Sequence, residues 1–447
     1  MVSKLLIANR GEIAVRIIRA CREMGIKTVA VYSKADADSL HTQLADECIC
    51  IGEAKSTDSY LNMERILSAT IASKADAIHP GFGFLSENSK FASLCEKCNI
   101  TFVGPSSDII AKMGNKSEAR NVVKEAGIPI IEGSKEPLFD AEEAKEVADK
   151  IGYPVMIKAS LGGGGKGMRV VRAKEDFINE FNNAQQETIK GFGDNSMYIE
   201  KYIENPRHVE FQILADNYGN VIHLGERDCS LQRRHQKMVE ESPSIAIDET
   251  LRTEMGNMAI KAAKAVGYTN AGTVEFLLDK DNNYYFIEIN TRIQVEHGVT
   301  ELVTGVDLIK EQIKIASGEV LGYSQSDITL RGHAIEVRIN AENPKKNFAP
   351  APGTIKVLHI PGGNGVRVDT AVYTGYTIPP YYDSMILKVM AYAKDRDEAI
   401  KKLRSVLGEV IIEGLDTNLD FQYDILNNEN FIEGKITTDF IKDNYGY

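Results

Sequence analysis

Residues 155–171 read VMIKASLGGGGKGMRVV, and the segment after the glycines decides the fold. Gly162, Gly164 and Gly167 satisfy G-x-G-x-x-G, the fingerprint of a dinucleotide-binding turn. That turn needs a strand before it and a helix after it, so that the helix N-terminus meets a pyrophosphate. Val155-Met156-Ile157 supplies the strand, but Met168–Val171 is again apolar and β-branched, without a capping residue or helical period. Strand, glycine loop, strand predicts a hairpin. A P-loop fails too, because Gly167 follows Lys166 where a Ser or Thr would bind magnesium. What remains is a flap of backbone N–H groups that can close over phosphates. A surface linker is the alternative; Lys158, at the end of an apolar strand, argues against it.

The segments around this hairpin fall into three regions. KLLIA (4–8), a helix near 12–24, TVAVYS, ECICIG, a helix near 62–72, ADAIHP and ITFVGP alternate strand and helix, which predicts a doubly wound parallel unit. Its strand-end loops, HPGFGFLSEN (79–88) among them, are where such sheets bind ligands. Helical segments from Ser106 to Ala126 lead to a small α+β lid of about 130–204 that holds the glycine hairpin. From about 205 onward HVEFQILAD, VIHLGERDC, TVEFLLD, YYFIEIN and HAIEVRIN read as strands of antiparallel pattern. A chain of 447 residues fits such a division into two or three domains.

Bulk properties narrow the function. The net charge is -12 and no long basic run occurs, which argues against nucleic acid and anionic membrane as partners. No apolar run approaches the ~18 residues of a membrane span. The first residues, MVSKLLIANRGEIAVRIIRA, read as strand and helix rather than as a signal peptide, so a cytoplasmic location is expected. Cys95 and Cys98 lie on a helical pattern and Cys48 and Cys50 on a strand, so reduced thiols are preferred over a four-thiolate zinc site.

The segment GTVEFLLDKDNNYYFIEINTRIQVEHGVT (272–300) carries the chemistry. With Asp281-Asn282 as a two-residue hairpin loop, Glu275 falls directly opposite Glu288, and Asn290 shares their face. Opposed carboxylates destabilise a sheet unless a cation lies between them. With the asparagine carbonyl they form an all-oxygen site suited to magnesium, completed by phosphate oxygens. A solvated acidic face is the alternative, since a one-residue slip would break the pairing. Continued as an extended strand, the same face shows Arg292, Gln294 and Glu296, while Ile289, Ile293 and Val295 turn to the core. Metal ligands, an arginine, an amide and a further acid in one row point to phosphoryl transfer beside an anion pocket. Arg233, Arg234, His235 and Lys237 in SLQRRHQKMVEE form a basic, anion-binding loop signature, with a surface charge run as the alternative, and Glu200-Lys201-Tyr202-Ile203 sits where lid meets body. His208 alone reads as a structural histidine. Arg338 alternates with Val337 and Ile339, so it points away from the apolar side.

Together IANRGEIAVRIIRA, HPGFGFLSEN, GGGGKGMRVV, EKYIENPRHVEFQ, ERDCSLQRRHQK, FIEINTRIQVEH and RGHAIEVRINAE resemble the biotin carboxylase family over essentially the whole chain. These are the ATP-grasp components of acetyl-CoA carboxylase and related biotin-dependent carboxylases. The resemblance implies an α/β and α+β ATP-grasp fold: a Rossmann-like N-terminal domain (1–115), an ATP-grasp region with its lid (116–317) and an antiparallel-sheet C-terminal domain (318–447). It implies that Lys116 and Lys158 contact ATP, with Gly164 and Gly165 over its phosphates. Glu200, Lys201, Tyr202 and Ile203 would hold the adenine, and His208, His235 and Gln232 would lie at the nucleotide. Glu275, Glu288 and Asn290 would bind two magnesium or manganese ions. Lys237, Arg292, Gln294 and the Val295 backbone would bind bicarbonate, Glu296 would be the base, and Arg338 would stabilise the biotin enolate.

The implied reaction carboxylates biotin through carboxyphosphate, giving carboxybiotin, ADP and phosphate. No A-M-K-M biotin-attachment motif occurs and no transferase region follows Tyr447, so a separate biotin carboxyl carrier protein and carboxyltransferase subunits are expected partners, together with a second copy of the chain. Gly298 stands where the family usually has proline, which implies a less rigid loop after Glu296. Phe82 replaces a frequent tyrosine, and Asn364 a common aromatic at the family's dimer surface, where Arg16, Arg19 and Glu23 remain. Another ATP-grasp carboxylate–amine ligase is the alternative; it would not need the Arg292–Glu296 row together with Arg338. A nicotinamide oxidoreductase is opposed by the strand after the glycines, and a non-catalytic nucleotide-binding scaffold by the intact acid–arginine row.

Overall fold

The computed structural model describes residues 2–159 and 168–447, without the side chains of Lys116, Ser117 and Phe192. Gly164, Gly165 and the Lys116 side chain therefore lie outside the described residues. The N-terminal sheet is parallel: β1 (Lys4–Ile7), β2 (Lys27–Ser33), β3 (Glu47–Gly52), β4 (Ala77–His79) and β5 (Thr101–Phe102), in the order β3-β2-β1-β4-β5. Chain reversal between β1 and β4 is the doubly wound pattern expected. The helix Gly11–Glu23 buries Ile13, Ile17, Ala20 and Cys21 against this sheet, the face its 3.6-residue period predicts.

The strands flanking the glycines form a hairpin. β6 (Val155–Ala159) pairs antiparallel with β7 (Arg169–Val171), Met156 opposite Val170, and with β8 (Met197–Lys201) on its other edge. A strand comes before any helix after the glycines, so the dinucleotide fingerprint is a coincidence of spelling.

The site is built on an eight-stranded sheet. Its strands are β9 (Arg207–Ala215), β10 (Val221–Arg233), β11 (Gln236–Ser242), β12 (Asn270–Leu278), β13 (Tyr284–Asn290), β14 (His333–Asn340), β15 (Val366–Thr370) and β16 (Met385–Ala393). They lie in the order β13-β12-β9-β10-β11-β14-β16-β15, so one sheet runs across the expected boundary at 317/318. Alternation divides its faces. Val209, Phe211, Val274, Phe276, Val337, Ile339, Leu387 and Val389 go into the apolar cores. Their neighbours Glu210, Glu275, Arg338 and Lys388 take the other face.

The β12–β13 hairpin pairs Glu275 with Glu288, as expected, but by a different route. The turn is one residue longer than two: Asp279 N–H donates to Asn283 O at 2.9 Å, and Asn282 adopts φ +63°. Near the turn the register is therefore Leu278 with Tyr284 and Phe276 with Phe286. An irregularity between Glu275 and Phe276 then restores the Glu275–Glu288 pair. A bulge compensates the longer loop.

Two expectations are corrected. The strand ends at Asn290, so Arg292, Gln294 and Glu296 do not continue it. Glu296 instead precedes the helix His297–Thr304, whose Val299 and Val303 pack with Ala334 and Met390. The i, i+4 spacing of those valines overrides the alternation. Gly298 is consequently the second residue of a helix, not part of a loose loop. A side chain there would collide with Met390 Sδ, so Met390 fills the space.

All six cysteines are free; Cys48, Cys50 and Cys98 are exposed, and neither group of candidate metal ligands among the described residues includes Cys48, Cys50, Cys95 or Cys98, although one includes Cys229 with Glu210 and Glu296. No helix among the described residues is long and apolar enough to cross a membrane.

Candidate active site

Cross-strand pairing sets Glu288 (β13), Glu275 (β12), Glu210 (β9) and Arg227 (β10) side by side on one face. Three carboxylates in a row repel one another, and cations answer them. Arg227, fully buried, donates Nε to Glu210 Oε1 at 2.6 Å and reaches Gln212, Thr273 and Thr300 with its remaining nitrogens. Lys237 of β11 donates to Glu210 Oε2 at 2.5 Å, Glu275 Oε1 at 3.1 Å and Glu296 Oε1 at 2.7 Å. His208 Nε2 lies 3.1 Å from Glu275 Oε2.

A second cluster continues from Glu296. Its Oε2 accepts from Arg338 Nη2 at 2.8 Å, and the same nitrogen lies 2.5 Å from Glu240 Oε1. Burial opposes ionisation of Glu296, but Lys237, Arg338 and Arg227 outweigh it and hold its carboxyl well below the usual range. Burial works the same way on Glu275, where Lys237 and His208 prevail. Glu240 goes the other way: burial lifts it to about 7 despite Arg338. Burial also lifts the Cys229 thiol far above its usual range, so Cys229, 3.9 Å from Glu296 Oε1, is a neutral neighbour.

Arg292 and Gln294 join this face although they are off the strand. Arg292 Nη1 donates to Gln294 Oε1 at 2.8 Å and Nε to Glu87 Oε2 at 2.9 Å, while Gln294 Nε2 reaches Glu275 Oε1 at 3.4 Å. Val295 contributes its carbonyl to Lys388. Asn290 Nδ2 donates to Glu275 Oε1 at 2.8 Å; turned over, its amide presents oxygen to an ion beside Glu275. Glu275, Glu288 and Asn290 thus form an oxygen-only set that fits magnesium. A neighbouring group, His208, Glu210 and Glu275, brings ligand atoms within 4.8 Å of one another, but its inner members are already neutralised by Lys237 and Arg227.

The residues expected at the nucleotide come from the β6–β8 sheet and the β10–β11 turn. Lys158 and Glu200 form an ion pair, with Arg120 Nη1 3.6 Å from Glu200 Oε2. Lys201 turns its ammonium to Gly152 O at 2.8 Å and Tyr153 O at 3.2 Å. Its N–H donates to Glu132 O, and that of Tyr202 to Pro154 O, so neither N–H is free for a ligand. Gln232 pairs across the ladder with Lys237. Arg234 and His235 make the two-residue turn between β10 and β11 at φ +49° and +63°. Two non-glycine residues held left-handed mark strain of the kind found at binding sites.

Sequence inspection missed Glu210, Arg227, Glu240, Glu87 and Lys388. The signal for Glu210 was present: it lies two residues from His208 on a strand with clean alternation.

Residues 1–110 match the family model for the biotin carboxylase N-terminal domain, and 336–443 that for the biotin carboxylase C-terminal domain. Residues 115–324 match the ATP-binding domain of the carbamoyl-phosphate synthase L chain. Biotin carboxylase 1 of Bacillus subtilis is 61% identical over 443 residues, covering 99% of this chain and 98% of that protein. The chain belongs to the biotin carboxylase family. It is an ATP-grasp enzyme, an ATP-dependent carboxylase of biotin. A biotin carboxylase–β,γ-ATP complex from Campylobacter jejuni superposes with a TM-score of 0.97 at 50% identity, covering 99% of each chain. The biotin carboxylase domain dimer of Hydrogenobacter thermophilus 2-oxoglutarate carboxylase, with MgADP, ADP and bicarbonate, gives 0.96 at 51%, covering 99% of this chain and 98% of that one.

Proposed function

We propose that this sheet face runs two successive steps, bicarbonate activation by ATP and carbon dioxide transfer to biotin, with Glu296 at the point where they meet. ATP lies between lid and floor, with Lys116, Lys158, Gly164 and Gly165 toward its phosphates. Glu200, Lys201, Tyr202 and Ile203 line the adenine; with two N–H groups already engaged, Lys201 acts there through its carbonyl and Ile203 through its N–H. His208, Gln232 and His235 lie along the nucleotide. Glu275, Glu288 and Asn290 hold two divalent ions, which neutralise the phosphate charge when bound.

Bicarbonate sits against Lys237, Arg292, Gln294 and the Val295 backbone. Glu296 removes its proton, and the resulting dianion attacks the γ-phosphorus, giving carboxyphosphate and ADP. Carboxyphosphate breaks down to carbon dioxide and phosphate, phosphate takes the ureido proton of biotin, and the nitrogen captures carbon dioxide. Arg338 bears the negative charge on the ureido oxygen. Glu296 is ionised at rest because Lys237 and Arg338 hold it so. Both cations turn to the substrate as its charge develops, which returns basicity to Glu296 when the proton must move.

The observation that carries this reading is the single carboxylate bridged by Lys237 at 2.7 Å and Arg338 at 2.8 Å. Glu296→Ala is expected to slow bicarbonate-dependent ATP cleavage and biotin carboxylation together, each by about 100-fold, the lower end for a general base because the neighbouring cations already acidify bicarbonate. Lys237 keeps Glu210 and Glu275, so Tm should move little. Steady-state rates with and without biotin test this; wild-type ATP cleavage in the variant would remove Glu296 from the first step.

Biotin arrives on a separate carrier protein, and carboxyltransferase subunits use the product. A second copy docks at the charged recess lined by Arg16, Arg19, Glu23, Glu301 and Arg367. Asn364 is exposed in the turn leading to β15.

A further inference from the structure

We propose that Lys388 is a positioning residue for the base: it fixes the peptide plane joining Val295 to Glu296. Lys388 is fully buried on β16, between Arg338 of β14 and Asp369 of β15 in the ladder. Its Nζ donates to the Val295 carbonyl at 2.5 Å. Counter-charges stand further off: Glu12 Oε1 at 3.4 Å, Asp369 Oδ2 at 3.9 Å and Glu336 Oε2 at 4.0 Å. The carboxylate oxygens of Glu12 and Glu336 have no hydrogen-bond partner among the described residues. Among the described residues the shortest contact of this ammonium is thus a carbonyl in the catalytic segment.

That segment needs an external hold. The ladder ends at Asn290, and the next helix starts with long bonds, His297 N–H to Gln294 O and Val299 N–H to Glu296 O, both 3.4 Å. Between them neither strand nor helix geometry sets the direction of the chain. His297 Nδ1, 2.8 Å from Gln294 O, ties one peptide. Lys388 ties the next, whose far side is the Glu296 N–H and Cα. An ammonium sealed from water is a poor choice for stability, since apolar side chains of similar volume do as well. It is a good choice for holding one carbonyl in one orientation.

Lys388→Met keeps the stem and removes the donor and its charge. Lys388→Met/Glu12→Gln also removes a carboxylate that the first change leaves unpaired. The proposal, which rests on Glu296 as the base, expects both variants to lose about 10- to 100-fold in kcat/KM for bicarbonate, the scale of a misplaced catalytic group, with KM for ATP unchanged. The double variant should recover Tm without recovering that loss. Recovery of Tm and kcat/KM together would show that the lysine only supports the fold, and so would failure of both variants to fold. Glu296→Ala measured alongside keeps the two ideas apart. If it is active, the base assignment fails. If it is inactive while folded Lys388→Met is fully active, the positioning role alone fails.

Discussion

Glu288→Gln should lower ATP turnover at saturating magnesium by about 1,000-fold or more, because a lost anionic metal ligand removes several kcal/mol of transition-state charge stabilisation. The physical case is the row Glu288–Glu275–Glu210. Arg227 and Lys237 neutralise its inner end, and Glu288 stands half-buried at the outer end. Glutamine keeps the shape and one oxygen, so the cost is chiefly the charge. In metal-free buffer the variant should melt close to the wild type, since the isosteric amide still fills the site and can accept hydrogen bonds. A large drop in Tm with magnesium-saturated turnover intact would make Glu288 a structural residue.

Arg338→Gln should reduce biotin carboxylation by about 100- to 1,000-fold, the loss typical of one charge-stabilising donor. Bicarbonate-dependent ATP cleavage without biotin should fall by about tenfold or less, because Glu296 keeps Lys237 at 2.7 Å. The two activities cannot separate completely, since Arg338 also grips the base. The fold should survive. Burial already lifts Glu240 to about 7 against the pull of Arg338, so without the guanidinium it takes up a proton rather than standing as a bare buried charge. Rates with and without free biotin, beside a melting curve, decide the matter. Equal losses in both activities would mean that Arg338 serves the fold or the first step alone.

Local alternation and turn chemistry made most of the fold legible. The strand after the glycines excluded a dinucleotide turn, and the period-2 pattern placed Glu275, Glu288 and Arg338 on the polar face. The Glu275–Glu288 pair emerged correctly from a loop that was too short, because a bulge cancelled the difference. Alternation then failed at Arg292–Glu296, where Val299 and Val303 draw the chain into a helix. Gly298 was misjudged with it: its partner is Met390, far along the chain on β16. Glu240 and Lys388 escaped notice for a common reason. Each gains its meaning from a strand or segment distant in sequence, such as Val295 for Lys388, and no local pattern records which strands become neighbours.

The central claim is that one active site couples ATP cleavage to carboxylation of biotin. Incubating the purified protein with MgATP, labelled bicarbonate and free biotin tests it most directly. The account predicts acid-labile label on biotin, ADP formed in step with it, and both lost when biotin and bicarbonate are withheld. Brisk ATP cleavage that transfers no label to biotin, or that ignores bicarbonate, would contradict it.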